Sequence, residues 1–352
     1  TSTDSAGLLD SVIPHYARRG QAAPLPARRF GSGLLSVQHL LLLLQLGRLR
    51  ARSGDGFVLA IEEPEVHVPP ALQRRLVNRV QSLAKQTVAS THSPLVAGFA
   101  DPEGVLILRN RDGALRADAL LPRGLIATMP NAIRKLFQLQ RVETIAALMH
   151  GVLLVPEGRT DSDWLRLVVR AVDLHQDWSD FDSCRFDSTV GVVPTSDGAV
   201  VASTNALSRL HPAIVAMVDG DAAGRRYASE LAAMERSECK AILTWPDGWT
   251  IEDVIGWVLS AGPTDLLAGT ELGDATSINE LVDKLKSTNR ATGGLKSDLH
   301  SYELIANMIG ETPRCRERAR ILLNAIAEEA LGVDSGMFAD HGGDPSIRVL
   351  LV

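Results

Sequence analysis

A chain of 352 residues with 45% hydrophobic content has enough apolar material for two or three domain cores. No apolar run approaches the roughly 20 residues that span a bilayer, which excludes a helical membrane protein. The net charge of −6 gives no global attraction to nucleic acid, and three scattered cysteines without a CxxC pair exclude a zinc ribbon and suit a reducing cytoplasm.

The start, Thr1-Ser2-Thr3-Asp4, lacks the basic-then-apolar pattern of a signal peptide and also lacks a start methionine, so a processed or truncated chain is expected to be possible. Phosphate contacts would have to come from local basic groups. Arg18, Arg19, Arg28 and Arg29 form one candidate cluster, and Arg314, Arg316, Arg318 and Arg320 another, each weighed against an ordinary solvated face.

Phe57 to Ile61 is a continuous apolar run between Gly56 and Pro64, which reads as a strand buried on both faces of a parallel sheet. It delivers Glu62-Glu63-Pro64-Glu65, with His67 beyond. Carboxylates at a strand's C-terminal end sit in the crevice where nucleotide enzymes place a Mg²⁺ ligand and a general base. Leu72, Leu76, Val80 and Leu83 repeat at helical spacing. A short strand, Thr87 to Ser90, then leads to Thr91-His92-Ser93-Pro94, where a histidine can reach a γ-phosphate.

These residues together resemble the ABC-type ATPases of the RecF, SMC and OLD group. Glu62-Glu63-Pro64-Glu65 is similar to their extended Walker B and D-loop, and Thr91-His92-Ser93-Pro94 to their switch loop. Gly31-Ser32-Gly33 before Leu40 to Leu44 looks like a degenerate signature at a helix start. The resemblance implies nucleotide contacts at Glu62, Glu63, His92 and Ser32. A P-loop needs a Gly-Lys pair, because glycine amides cradle the phosphates and the lysine meets the β/γ oxygens. No such pair occurs in this chain. The P-loop is therefore expected upstream or not at all, ATP is expected only for the complete protein, and this polypeptide alone is not expected to hydrolyse ATP.

Pro122 to His150 is helical in pattern and reads as a linker. Val152 to Val155 is the next buried strand, delivering Glu157 at its tip and Asp161 in the first turn of a following helix, where acid also complements the helix dipole. A third strand, Ala213 to Val218, ends in Asp219-Gly220-Asp221. Alternate residues there can reach one hard cation. A plain Asp-Gly turn is the bland alternative. The strand Ala241 to Trp245 brings Glu252 to the same edge in an α/β order.

Glu-Gly at one strand tip followed by Asp-x-Asp at another resembles the Toprim domain of topoisomerases, primases and OLD nucleases. With ABC elements upstream, the chain resembles the C-terminal half of an OLD-family ATP-dependent endonuclease. The expected fold is α/β: a partial ABC-type ATPase domain at 1–120, a helical linker at 121–150, a Toprim domain with a parallel sheet between helices at 151–256, and a helical C-terminal region at 257–352. The resemblance implies that Glu157, Asp161, Asp219, Asp221 and Glu252 hold two Mg²⁺ or Mn²⁺ ions, with Glu157 and Asp219 central to catalysis. It also implies a lysine near the scissile phosphate, for which Lys296 in Gly293-Gly294-Leu295-Lys296-Ser297 is the first choice, ahead of Lys284 and Lys286. Such ions, about 3.5 to 4 Å apart, serve in-line phosphodiester displacement. DNA is the expected substrate, and a homodimer the expected assembly. The alternative is a DNA-binding or topoisomerase-like protein without nuclease activity of its own. A topoisomerase needs a tyrosine nucleophile, and only Tyr16, Tyr227 and Tyr302 are available.

Overall fold

The computed structural model describes residues 15–16, 25–26, 31–54, 57–66, 68–82, 84–111, 113–124, 127–174, 186–234, 239–272, 275–342 and 344–352. The chain divides into two compact units, Thr1–Asp101 and Pro102–Val352. Among the described residues no helix is long and apolar enough to cross a membrane.

In the first unit β1 (His15–Tyr16) and β2 (Leu25–Pro26) pair antiparallel. The helix α1 (Ser32–Arg52) precedes a β-α-β unit of β3 (Val58–Glu62), α2 (Pro70–Gln81) and β4 (Gln86–Ser90), closed by the short helix α3 (Pro94–Phe99). β3 and β4 run parallel, with Ala60 opposite Val88 and Glu62 opposite Ser90. Leu59 is buried, with Leu44, Phe57, Ile61 and Ala84 packed against it. The expectation of a strand buried on both faces does not hold among the described residues. Side chains alternate across a strand, and the face carrying Val58 and Val88 is open, these two being 64% and 55% exposed.

The second unit opens with an antiparallel hairpin, β5 (Leu106–Arg111) and β6 (Ala114–Ala119). Two short helices follow, α4 (Asn131–Gln138) and α5 (Arg141–Leu148). They were expected as a linker, yet Ile133, Leu136, Phe137 and Ile145 are buried, so they belong to the packed body.

The remainder alternates strand and helix: β7 (Val152–Pro156), α6 (Arg159–Leu174), α7 (Phe186–Thr189), β8 (Val190–Val192), α8 (Val200–Leu207), β9 (Ile214–Val218), α9 (Ala222–Ala232), β10 (Cys239–Thr244) and α10 (Ile251–Leu259). Three further helices, α11 (Ile278–Lys286), α12 (Leu299–Glu311) and α13 (Pro313–Ala330), lead to β11 (Phe338–His341) and β12 (Asp344–Leu350). The six-stranded sheet has the order β11-β12-β10-β9-β7-β8. All neighbours run parallel except β11 against β12.

Every residue of β7 and β9 is buried. Leu154, Val215, Met217 and Leu243 face one core with α6, α10, α12 and α13. Alternation turns Leu153, Val155 and Ala216 the other way, toward α8 and α9. A sheet covered on both faces explains the near-continuous apolar strands. The order places β7 beside β9, with the chain leaving in opposite directions from that pair. This reversal opens a crevice at the strand C-termini.

The C-terminal region is not wholly helical as expected. β12 adds a parallel strand beside β10, with Ile347 opposite Ile242 and Val349 opposite Thr244. Its apolar residues alternate with Ser346 and Arg348, the period of a strand rather than a helix. Arg348 binds Glu329 at 3.2 Å, Asp334 at 2.8 Å and Asp340 at 2.8 Å, tying the last two strands to the end of α13. Glu329 is only 6% exposed. Arg348→Ala strands a buried carboxylate and is expected to cost about 3 kcal/mol of stability, read from urea unfolding.

Candidate active site

Five sequence-predicted carboxylates stand at the C-terminal ends of three adjacent strands. Glu157 directly follows β7, Asp161 lies in the first turn of α6, Asp219 directly follows β9, Asp221 caps α9, and Glu252 lies in the first turn of α10 after β10. Backbone and hydroxyl donors fix one oxygen of four of them. The Asp219 N–H donates to Glu157 Oε2 at 3.0 Å, and the Gly158 N–H donates to Asp161 Oδ2 at 3.0 Å. Ala223 and Gly224 N–H groups donate to Asp221 Oδ1 at 2.9 and 2.8 Å. The Thr250 hydroxyl donates to Glu252 Oε2 at 2.6 Å.

Asp219 Oδ1 is buried and has no hydrogen-bond partner among the described residues. Such an atom is costly unless something positive meets it. The Asp219-Gly-Asp-x-x-Gly spacing also serves packing, because a Cβ on Gly224 would lie 1.9 Å from the Asp219 carbonyl oxygen.

Sequence reading missed Asp197. It follows β8, accepts the Arg159 N–H at 3.0 Å, and presses so close that a Cβ on Gly158 would meet its Oδ1 at 2.7 Å. Its signal was weak because β8 has only three residues.

Burial and neighbouring charge raise the proton affinity of three of the carboxylates. Burial, then Glu157 and Glu252, pushes Asp161 up to about 7. Burial, then Asp161, Glu157, Glu252 and Asp221, pushes Asp219 up to about 9. Glu157 is raised chiefly by burial, against the Asp219 N–H and the Arg226 charge, which lower it. Among the described residues no three His, Cys, Asp or Glu side chains are grouped so as to hold an ion as they stand. The donor chemistry nonetheless suits a hard cation, which takes carboxylate oxygens. The unpartnered Asp219 Oδ1 is the atom that would gain most.

The candidate lysines differ in their engagements. Lys286 donates to Asp253 at 2.6 Å, and Lys284 pairs with Glu280 at 3.3 Å. The Lys296 ammonium is exposed and forms no hydrogen bond or ion pair among the described residues. Tyr302 is buried with its ring stacked on Trp164, which removes it as a nucleophile for DNA. The Tyr16 side chain lies outside the described residues, as do His67, Cys184 and the arginines at 18, 19, 28 and 29. Three of the four later arginines serve the protein itself. Arg316 donates to the Gly310 carbonyl, Arg318 to the Trp257 carbonyl while lying over that indole, and Arg320 pairs with Glu317.

In the first unit the ends of β3 and β4 meet. Glu63 adopts a left-handed φ of 42°, a strained state for a non-glycine residue, and donates its N–H to the Ser90 carbonyl at 3.0 Å. Its carboxylate stands 3.5 Å from His92 Nε2. Glu65 fastens the two loops, accepting from the Thr91 hydroxyl at 2.5 Å and from the His92 and Ser93 N–H groups at 3.0 and 3.2 Å. Glu62 ends β3 and is exposed. Ser32 opens α1, also exposed, and no hydrogen bond among the described residues draws it to the other three.

A family model described as "AAA domain, putative AbiEii toxin, Type IV TA system" matches residues 5–98. An AAA-type, ATPase-like domain is present at the N-terminus. The matched span nearly coincides with the first compact unit, and the Glu63–Glu65–His92 cluster falls within it. No curated protein matches the chain.

The raised carboxylates set a pH dependence. A native pKa above the unfolded value means that the folded protein binds more protons between the two values. The associated stability is complete at acid pH and is lost as pH rises through about 7 for Asp161 and about 9 for Asp219. In the absence of divalent ions, thermal melts should therefore give a higher Tm near about pH 5 than near about pH 9. Asp219→Asn should flatten that decline, and a Tm that rises with pH would refute the assignment.

Proposed function

We propose that the second unit is a Mg²⁺- or Mn²⁺-dependent phosphodiester hydrolase that nicks DNA, in a Toprim-like arrangement coupled to the AAA-type domain as in OLD-type nucleases. The observation that carries this reading is the unpartnered Asp219 Oδ1 beside Glu157 and Asp161, in the crevice where β7 and β9 part. Glu157, Asp161, Asp219, Asp221 and Glu252 would hold the ions. When bound, these would supply Lewis acidity toward a phosphate oxygen and lower the pKa of an attacking water.

The chain's own residues do the rest. The Asp219 and Gly158 amides fix the orientation of the Glu157 and Asp161 carboxylates, so their geometry is set before substrate arrives. Lys296 offers an uncommitted positive charge for a nonbridging phosphate oxygen, while Lys286 is neutralised by Asp253. In the first unit the Glu63–His92 pair suits a nucleotide's γ-phosphate, with Glu65 holding its two loops in register. ATP would act upstream of cleavage.

Supercoiled plasmid should be nicked or linearised by this chain with Mn²⁺ or Mg²⁺ and no ATP, and EDTA should abolish the reaction. Metal-independent cleavage, or cleavage strictly requiring ATP, would sink the reading. Asp219→Ala and Glu157→Ala should each lower the rate by about 100-fold or more while Tm is held or rises. Lys296→Ala should lower turnover by about 100-fold with Mn²⁺ binding retained.

The exposed Leu41, Leu42, Leu46 and Leu49 on α1, at 53% to 64%, support self-association through the first unit. Light scattering at micromolar concentration should report a dimer, and a monomer there would count against it.

A further inference from the structure

The segment between α11 and α12 is fastened far more firmly than an exposed turn requires. The Leu295 N–H donates to the Lys284 carbonyl at 2.7 Å, and the Lys296 N–H to the Ser287 carbonyl at 3.1 Å. The Arg290 guanidinium clasps the Gly294 and Lys296 carbonyls at 3.0 and 3.3 Å. Ser297 is held at a left-handed φ of 61°, which a serine adopts only when its surroundings impose it. Its N–H donates to the Tyr302 hydroxyl at 2.9 Å. Amid all this, the Lys296 ammonium forms no hydrogen bond or ion pair among the described residues.

Tyr302 in turn is anchored to the acidic site. Its ring is 1% exposed and stacks on Trp164 with centroids 4.3 Å apart. Trp164 stands three residues after Asp161 on α6, on the same helix face. Burial pushes the phenol up, the Ser297 N–H it accepts lowers it, and the Glu252 charge adds to the rise.

Resting on the metal-site reading above, we infer that Tyr302 is a positioning residue: its hydroxyl holds the Ser297 amide and so sets the Lys296 loop in register with the acidic cluster carried by α6 and α10. The phenol acts through the backbone of this loop and touches no substrate. The stacked ring fixes where the hydroxyl stands, and the hydroxyl fixes where residue 297 turns.

Tyr302→Phe is the discriminating change, because it keeps the stack on Trp164 and removes only the acceptor of the Ser297 N–H. The lysines of the full chain are reductively methylated with ¹³C, the Lys296 signal is assigned by its loss in Lys296→Ala, and paramagnetic Mn²⁺ is added. Mn²⁺ should broaden the Lys296 signal in the parent and do so much less in Tyr302→Phe, while Tm and Mn²⁺ affinity by calorimetry are unchanged. In the plasmid assay Tyr302→Phe should lower turnover by about tenfold with little change in KM, and add no further loss to Lys296→Ala. Equal broadening in parent and variant, or Mn²⁺ binding without any broadening of Lys296, would overturn the positioning role alone. Calorimetry showing no Mn²⁺ binding would sink the metal-site reading and this role with it. Losses that add in the double variant would likewise overturn the assignment of Tyr302 to the lysine.

Discussion

The hydrogen bond from the Asp219 amide to the Glu157 carboxylate joins two strand tips that are far apart in the chain. It forms because β7 and β9 are sheet neighbours although α6, α7, β8 and α8 intervene between them in sequence. Once these tips are side by side, two acids share a crevice with Asp161 and Glu252. Burial first, and then the charges of the neighbouring acids, lift Asp161 and Asp219 toward neutrality. The sheet is rigid enough to bear this, since every residue of both strands is buried between helical layers. The fold thus supplies the energy that holds the acids together, and the acids store it as a raised affinity for positive charge.

Much of this was legible in the sequence. Continuous apolar runs located β7, β9 and β10, because strands covered on both faces have no polar positions to interrupt them. Carboxylates just beyond such runs could then be placed in one crevice from topology alone. Asp197 was not legible, because the three residues of β8 are too few for any period to show. The strands β11 and β12 were read as helix, because a hundred residues rich in helical spacing masked a short alternation at their end. Glu65 is one letter of a motif in the sequence, and its grip on the Thr91–Ser93 loop arises only where the two loops meet in space.

Charge was the least reliable guide. The four arginines from 314 to 320 look alike in sequence, yet three are engaged by carbonyls, a carboxylate or an indole of the same unit. Composition counts charges but not the partners that consume them. The lysines show the converse. Lys284, Lys286 and Lys296 are equivalent as residue types, and it is the carboxylates beside the first two that single out the third.

Both margins of the six-stranded sheet are blunt. On one side β8 offers three residues, and on the other β11 offers four and runs against its neighbour. Unpaired margins recruit strands from other chains in proportion to their length and flatness. Arg348, by gathering three carboxylates around the final hairpin, places a dense knot of charge there. The second unit is thereby poorly suited to grow by strand addition.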